Sequence, residues 1–358
     1  MISFVGNFPP PVHGQSAATL RFRDALVDAG LRVQAIDTGE GSAGLGGKLR
    51  RLLRLTLSPF RMAWQPARLA YISVNAGAGI WVTIVQALAC RLTGKQMVCH
   101  HHSSRYIREY DRRFALFAAV AGEDALHLAN CDAMAEDLKA RYPRIGRAMG
   151  YGNAGFVDPR LRALPGHGDS REITLGHMSN LTLSKGLGRT IDLLRLARRE
   201  GLPVRLLIAG PCAEPEARKV LEDAQREFPD ALTYLGPVYD TAKIEFFAST
   251  DIFVFPTRYA NEAGPIVNLE ALAAGAPVIS SAQCCIASTL EGGGGVALDQ
   301  ALDFAPHALP FVRRFAGARR EMSEAARRRF DELLAEQQQV EHRLIDLFRS
   351  AVTGEAVA

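Results

Sequence analysis

Apolar and polar positions alternate along this chain in blocks rather than singly. Apolar runs of five to eight residues recur: MISFV at the start, then LRVQAID, LAYISV, QMVCH, ALHLAN, EITLGHM, PVRLLIAG, LTYLG, DIFVFP and APVISS. Short runs of this kind read as strands buried on both faces. Helical spacing fills most of the gaps between them. In AATLRFRDALVDA, Leu20, Phe22, Ala25 and Leu26 are apolar, and Gly30 follows as the glycine just past a helix end. Strands alternating with helices predict parallel sheets covered on both faces. Ten such strands exceed one sheet, and the Pro-, Gly- and charge-rich stretch PRLRALPGHGDSREI (159–173) marks a break. The expected fold is α/β. It has two doubly wound Rossmann-like domains, 1–160 and 170–335, and a helical C-terminal tail, 336–358, that packs back on the first domain.

Two segments refine this pattern. LAYISVNAGAGIWVTIVQALAC (69–90) has no charge and the length of a membrane span. Ser73, Asn75, Gln86 and two glycines favour a different parse: a buried strand, a glycine turn and a helix over IWVTIVQALACRL. Further on, Pro265 suits the first position of a helix and Gly275 its end, with Pro277 following, so PIVNLEALAA (265–274) reads as a short buried helix. Its N-terminus comes just after the strand DIFVFP and the loop TRYANEAG. Ligands of doubly wound sheets bind outside the carboxyl ends of the strands, and the open N–H groups of a helix start attract anions.

Composition narrows the class. With 48% hydrophobic and 22% charged residues, the 358-residue chain is globular, and its length suits two domains. The net charge of +4 comes from 42 basic and 38 acidic residues. The six cysteines form no C-x-x-C pair and no metal-finger spacing, so they read as reduced thiols of a cytoplasmic protein. The N-terminus has neither the basic nor the long apolar region of a signal peptide.

The candidate chemistry lies in NEAGPIVNLEALAAGAPVIS (261–280), which sets Glu262 and Glu270 on either side of the helix start. Eight helical residues span roughly 12 Å of axial rise. Carboxylates that far apart do not share a proton. They can accept hydrogen bonds from two hydroxyl-bearing parts of one ligand with an anion between them, the layout of a nucleotide sugar. From spacing alone, a structural ion pair accounts for such a glutamate equally well.

The stretch LTYLGPVYDTAKIEFFASTDIFVFPTRYANEAGPIVNLEALAAGAPVIS, with Lys185-Gly186 in HMSNLTLSKGL (177–187), resembles the GT-B glycosyltransferases of family 4. These are retaining, nucleotide-sugar-dependent enzymes whose two domains face a cleft, and Glu262 with Glu270 matches their E-x7-E signature. The resemblance is strong over roughly 170–300 and weak in the first half. It implies that Glu270 holds the ribose hydroxyls and Glu262 contacts the transferred sugar. It implies also that Gly264, Ile266 and Val267 present N–H groups to phosphate or sugar, and that Lys185, with Gly186, sits on the diphosphate. The family's Arg before that Lys is replaced by Asn180, so Arg258 or His177 is the candidate substitute. No Asp-x-Asp pattern appears, so no cofactor and no metal are expected.

In the first domain, the loop PPPVHGQSAAT resembles the family's glycine-bearing loop, with His13 and Gly14 as acceptor or phosphate contacts; an ordinary βα turn explains it as well. MVCHHHSSR puts three histidines at a strand end. Neighbours on an extended segment point to opposite faces and no acidic cluster accompanies them, which disfavours a metal. By resemblance His102 touches sugar or acceptor, with His100 behind it, although Ser103 replaces the usual Gly. Residues 46–68, GGKLRRLLRLTLSPFRMAWQPAR, interleave Lys48, Arg50, Arg51, Arg54 and Arg61 with leucines. Such a helix either lies on an anionic membrane surface or packs its leucines on the sheet. No aromatic pattern accompanies the charges, so nucleic acid is not an expected partner.

The resulting expectation is a cytoplasmic transferase, at the inner face of the cell membrane if 46–68 touches lipid. It moves a sugar from a UDP- or GDP-sugar to a lipid-linked acceptor or growing surface polysaccharide, with retention. Two other classes remain open: a nucleotide-sugar epimerase on the same fold, and a non-catalytic sugar-nucleotide-binding partner.

Overall fold

The computed structural model describes residues 1–10, 14–39, 45–166 and 171–353, with only the backbone of Leu45 and Lys48. The chain divides into two compact units, Met1–Phe156 together with the chain from Glu336 onward, and Val157–Ala335. The division falls just ahead of the Pro- and Gly-rich stretch 159–173.

The first unit runs β1 (Ile2–Gly6), α1 (Gly14–Asp28), β2 (Val33–Asp37), α2 (Leu45–Trp64), β3 (Leu69–Val74), α3 (Ile80–Leu92), β4 (Gln96–His101), α4 (Arg105–Arg108), α5 (Arg112–Ala121), β5 (Leu126–Ala129), α6 (Asp132–Arg141) and β6 (Arg147–Gly150). The second runs α7 (Pro159–Arg162), β7 (Ile173–Met178), α8 (Leu187–Arg199), β8 (Val204–Ala209), α9 (Pro215–Glu227), β9 (Leu232–Tyr234), α10 (Asp240–Ala248), β10 (Ile252–Phe255), α11 (Ile266–Ala274), β11 (Val278–Ser281), α12 (Ile286–Leu290), β12 (Gly295–Leu298) and α13 (Phe304–Gly317). Helix α14 (Arg319–Thr353) begins in the second unit and continues into the first. Its Met322 joins the second core, and its Leu344 and Phe348 join the first.

Among the described residues each unit holds one six-stranded sheet, ordered β2-β1-β3-β4-β5-β6 and β12-β11-β10-β7-β8-β9. All pairings are parallel. Strand order therefore reverses between β1 and β3 in one sheet and between β7 and β10 in the other, the switch points where open sheets bind ligands. β3, β7 and β10 are buried at every residue, as the continuous apolar runs required. Each fully buried Leu, Ile or Val in them, such as Leu175 and Val254, contributes about 1.5–3 kcal/mol of transfer free energy. In the first unit Phe4 stacks on Tyr71 at 4.1 Å, and Phe22 bridges Tyr71, Tyr151 and Phe348.

The ten apolar runs are all strands, and two strands escaped the sequence pattern. β6, RAMG, is a short edge strand opening on an exposed Arg, and β12, GVAL, emerges from a glycine tract. The uncharged stretch 69–90 forms β3 and α3, separated by a short turn, and among the described residues no helix is long and apolar enough to cross a membrane. Pro265 caps helix α11 rather than opening it, and Gly275 ends it at φ 84. Of the six cysteines read as reduced thiols, Cys90, Cys99, Cys212 and Cys284 carry free thiols, and Cys131 and Cys285 do not, which corrects that reading.

Candidate active site

The carboxyl end of β7 leads into the loop 179–186 and so into α8. The loop is tied internally: Lys185 N–H donates to Thr182 Oγ1 at 3.1 Å, and Gly186 N–H to the Leu183 carbonyl at 3.0 Å. Gly186 caps α8 at φ 95, and a Cβ there would lie 2.5 Å from the Pro256 carbonyl oxygen. Glycine is thus required both for the left-handed backbone and for the close approach of the two loops that follow β7 and β10. Arg258 N–H adds a bond to the Ser184 carbonyl at 2.7 Å.

This approach brings Lys185 onto Glu262. The Lys185 ammonium pairs with Glu262 Oε2, and the side chains are 20% and 11% exposed. Thr257 Oγ1 reaches the same carboxylate at 3.4 Å. The ammonium also lies over the rings of Tyr259, at 4.5 Å, and Phe255, at 5.6 Å, contacts that favour a cation. Gln283 Nε2 donates to the carbonyls of Tyr259, at 2.6 Å, and Glu262, at 3.1 Å, fixing the loop from the side of β11.

Helix α11 follows. Gly264 lies in the approach to Pro265, and no side chain caps the helix. The first N–H groups, those of Ile266 and Val267, are the ones a helix start leaves for solvent or a ligand. Glu270, one turn further, is nearly buried and accepts from Lys243 Nζ of α10 at 2.5 Å. The sequence reading missed Lys243, because nothing in a separation of 27 residues announces the pairing.

Of the two substitutes considered for the family's arginine, His177 fails. It is fully buried, with Nδ1 2.8 Å from the Val254 carbonyl, and burial pushes it down to about 4, so it is neutral at physiological pH. Arg258 is exposed and its guanidinium donates to the Gln300 carbonyl. A third candidate appears in Arg189, one turn along α8 from Lys185. Its Nη1 reaches Ser281 Oγ at 3.4 Å, and burial, with the charge of Arg258 second, lowers it to about 10. Two guanidiniums that repel one another at a strand end favour an anion there. The i, i+4 spacing of Lys185 and Arg189 was the available signal. Asn180 is exposed and uncharged.

In the first unit, β4 ends in the histidines. His100 Nδ1 lies 2.7 Å from the Tyr71 hydroxyl and its ring packs on that of His102 at 4.1 Å. His101 points the other way, to Tyr106 OH at 2.9 Å and to His127 Nδ1 at 2.8 Å. Burial, ahead of the neighbouring imidazoles, pushes His100 and His101 well below the usual histidine range, and burial takes His127 to about 3. These three are neutral and internal. His102 alone of the run is partly exposed. Gly14 is the exposed first residue of α1, and nothing in the protein lies within 4 Å of where its Cβ would be. His13 lies outside the described residues.

Comparisons with known proteins bear on this arrangement. Residues 166–306 match the family model described as glycosyl transferases group 1. No curated protein matches the chain. Among solved structures, sucrose-phosphate synthase from Thermosynechococcus elongatus aligns over 98% of this chain and 99% of its own, with TM-score 0.73 and 15% identity. HepE from Anabaena, in complex with UDP and glucose, aligns over 96% and 98%, with TM-score 0.68 and 15% identity. WaaG, a glycosyltransferase involved in lipopolysaccharide biosynthesis, aligns over 97% and 99%, with TM-score 0.66 and 15% identity. The chain therefore has the GT-B fold, and its residues 166–306 match the model of the glycosyl transferases group 1 family.

Proposed function

We propose that the protein transfers a sugar from a UDP- or GDP-sugar to a hydroxyl of a glycan or lipid-linked acceptor, with retention of anomeric configuration. The observation that carries this reading is the pair of ion pairs at the β7/β10 switch point, Lys185 with Glu262 and Lys243 with Glu270, set around the uncapped start of α11. HepE, which shares the fold, is described in complex with UDP-glucose.

The donor diphosphate lies against the α11 start, and Lys185 exchanges Glu262 for it. Arg189 supplies the second cation in place of the family's arginine, with Arg258 beside it. Glu262, released, accepts from the sugar hydroxyls, while Glu270, steadied by Lys243, accepts from the ribose. In the transfer, the bond between the anomeric carbon and the diphosphate oxygen breaks and the bond to the acceptor oxygen forms on the same face. The acceptor proton passes to the departing phosphate. Charge grows on that phosphate, and fixed cations and N–H dipoles aimed at it lower the barrier. His102, with its ring backed by His100, contacts sugar or acceptor, with the Gly14 loop as the second acceptor contact. No metal takes part in this scheme: the chain has no Asp-x-Asp, and the cations named serve the diphosphate.

The test is proton NMR of the purified protein with UDP- and GDP-sugars, with and without acceptor glycans and with and without EDTA. An acceptor-dependent product of unchanged anomeric configuration, insensitive to EDTA, supports the proposal. Inversion at the anomeric centre, or acceptor-independent conversion of the donor sugar into its epimer, refutes it.

A further inference from the structure

Helix α2 faces the wrong way for a core helix. Its leucine stripe points to solvent: Leu49, Leu52, Leu53, Leu57, Phe60 and Trp64 are between 51% and 86% exposed. Ser58 and Met62 take the buried side, and Ser58 receives a hydrogen bond from buried Gln86 of α3 at 2.8 Å. Of the two readings of 46–68, the one that packs its leucines on the sheet does not hold for Leu49, Leu52, Leu53 and Leu57.

The stripe does not end at α2. Helix α3 packs beside it and exposes Trp81, Val85, Leu88 and Leu92, a single line at i, i+4, i+7 and i+11. Helix α5 packs beside α3 and adds Leu116. Eleven of the eighteen large hydrophobics exposed among the described residues lie on these three helices, which concentrates them on one side of the first sheet. Soluble surfaces scatter such residues singly, and a contiguous patch marks an interaction surface.

Charge identifies the occupant. The three helices contain no Asp or Glu, while Arg50, Arg54 and Arg61 flank the α2 stripe and Arg112 opens α5. One of these, Arg54, is paired with Asp37 at 2.8 Å. Apolar side chains bordered by arginine and lacking acids suit a lipid surface with anionic headgroups, and tryptophan favours the boundary between headgroup and hydrocarbon. We infer that the outer face of α2, α3 and α5 docks on an anionic bilayer, with Trp64 and Trp81 seated at the headgroup level. This rests on the surface alone and stands apart from the donor chemistry.

Trp64 and Trp81 are the only two tryptophans of the chain, so intrinsic fluorescence reports this face directly. The full chain is mixed with vesicles of phosphatidylcholine alone, or of phosphatidylcholine with phosphatidylglycerol, with and without brominated acyl chains. Docking predicts a blue shift, quenching by brominated lipid, and partitioning stronger by on the order of tenfold or more on the anionic vesicles, weakening with salt. Leu53→Ser with Phe60→Ser, both already at the surface, should abolish the shift while the circular dichroism spectrum stays unchanged. The inference is overturned by unshifted, unquenched emission on anionic vesicles. It is overturned equally by a shift that follows protein concentration without lipid and coincides with a doubled mass, which would make a second copy the occupant.

Discussion

At the carboxyl end of the second sheet, the corner formed by β7, β10 and α11 is built from charge: Lys185 on Glu262, Lys243 on Glu270, with Arg189 and Arg258 alongside. At the carboxyl end of the first sheet, β4 ends in imidazoles that burial keeps neutral, hydrogen-bonded to tyrosines and to one another. The strand-helix architecture is the same in both. What differs is charge: two carboxylates and four basic side chains meet in the second corner, whereas the imidazoles of the first are internal and neutral. The outer helices differ as well. α8 buries Leu187, Ile191, Leu193 and Leu194 and turns Arg195 outward to Glu227, whereas α2 and α3 turn their apolar stripes out.

Removing the charge should hit hardest. Lys185→Ala is expected to lower turnover on the order of a hundredfold or more, measured as kcat, because a fixed cation at the leaving group is lost. Glu270→Ala should chiefly weaken nucleoside diphosphate binding, by about ten- to a hundredfold, the range of a hydrogen bond to a charged group. Arg189→Ala should weaken it by about tenfold, while Asn180→Ala leaves it unchanged; equal effects would return the phosphate contact to the loop at Asn180. Gly186→Ala should cost at least about 1–3 kcal/mol in denaturant unfolding, from strain at a positive φ, with the contact to Pro256 adding to it.

Acid should separate the two units by a smaller margin. A histidine held neutral in the folded state leaves the unfolded chain binding more protons, so stability falls as pH drops below about 6.5 and stops falling once the folded pKa is passed. The first unit buries His100, His101 and His127 this way, and the second buries His177, which reaches about 4. The first unit should unfold at the higher pH on acidification, visible in tryptophan emission because both tryptophans belong to it. Simultaneous loss of both units, or earlier loss of the second, would erase this distinction.

What the chain revealed in advance follows from how local each signal is. The α11 boundaries were legible because Pro265 and Gly275 act on their own backbone. The strands were legible as apolar runs, except β6 and β12, where edge position and glycines dilute the pattern. Lys243 on Glu270 and Arg189 on Ser281 were not legible, for such contacts exist only once the sheet has brought distant loops together. Periodicity also showed that 46–68 has an apolar stripe but carried no sign for its direction. Only packing against α3 shows that the stripe faces outward.

The most direct test of the charged corner is isothermal titration of the wild-type chain and of Glu270→Ala with UDP, GDP, ADP and NAD, with and without EDTA. The account predicts that one of UDP and GDP binds, that EDTA does not alter its affinity, and that Glu270→Ala weakens it at least about tenfold. Binding of NAD alone, of no nucleotide, or of a nucleoside diphosphate with equal affinity to both proteins would contradict it.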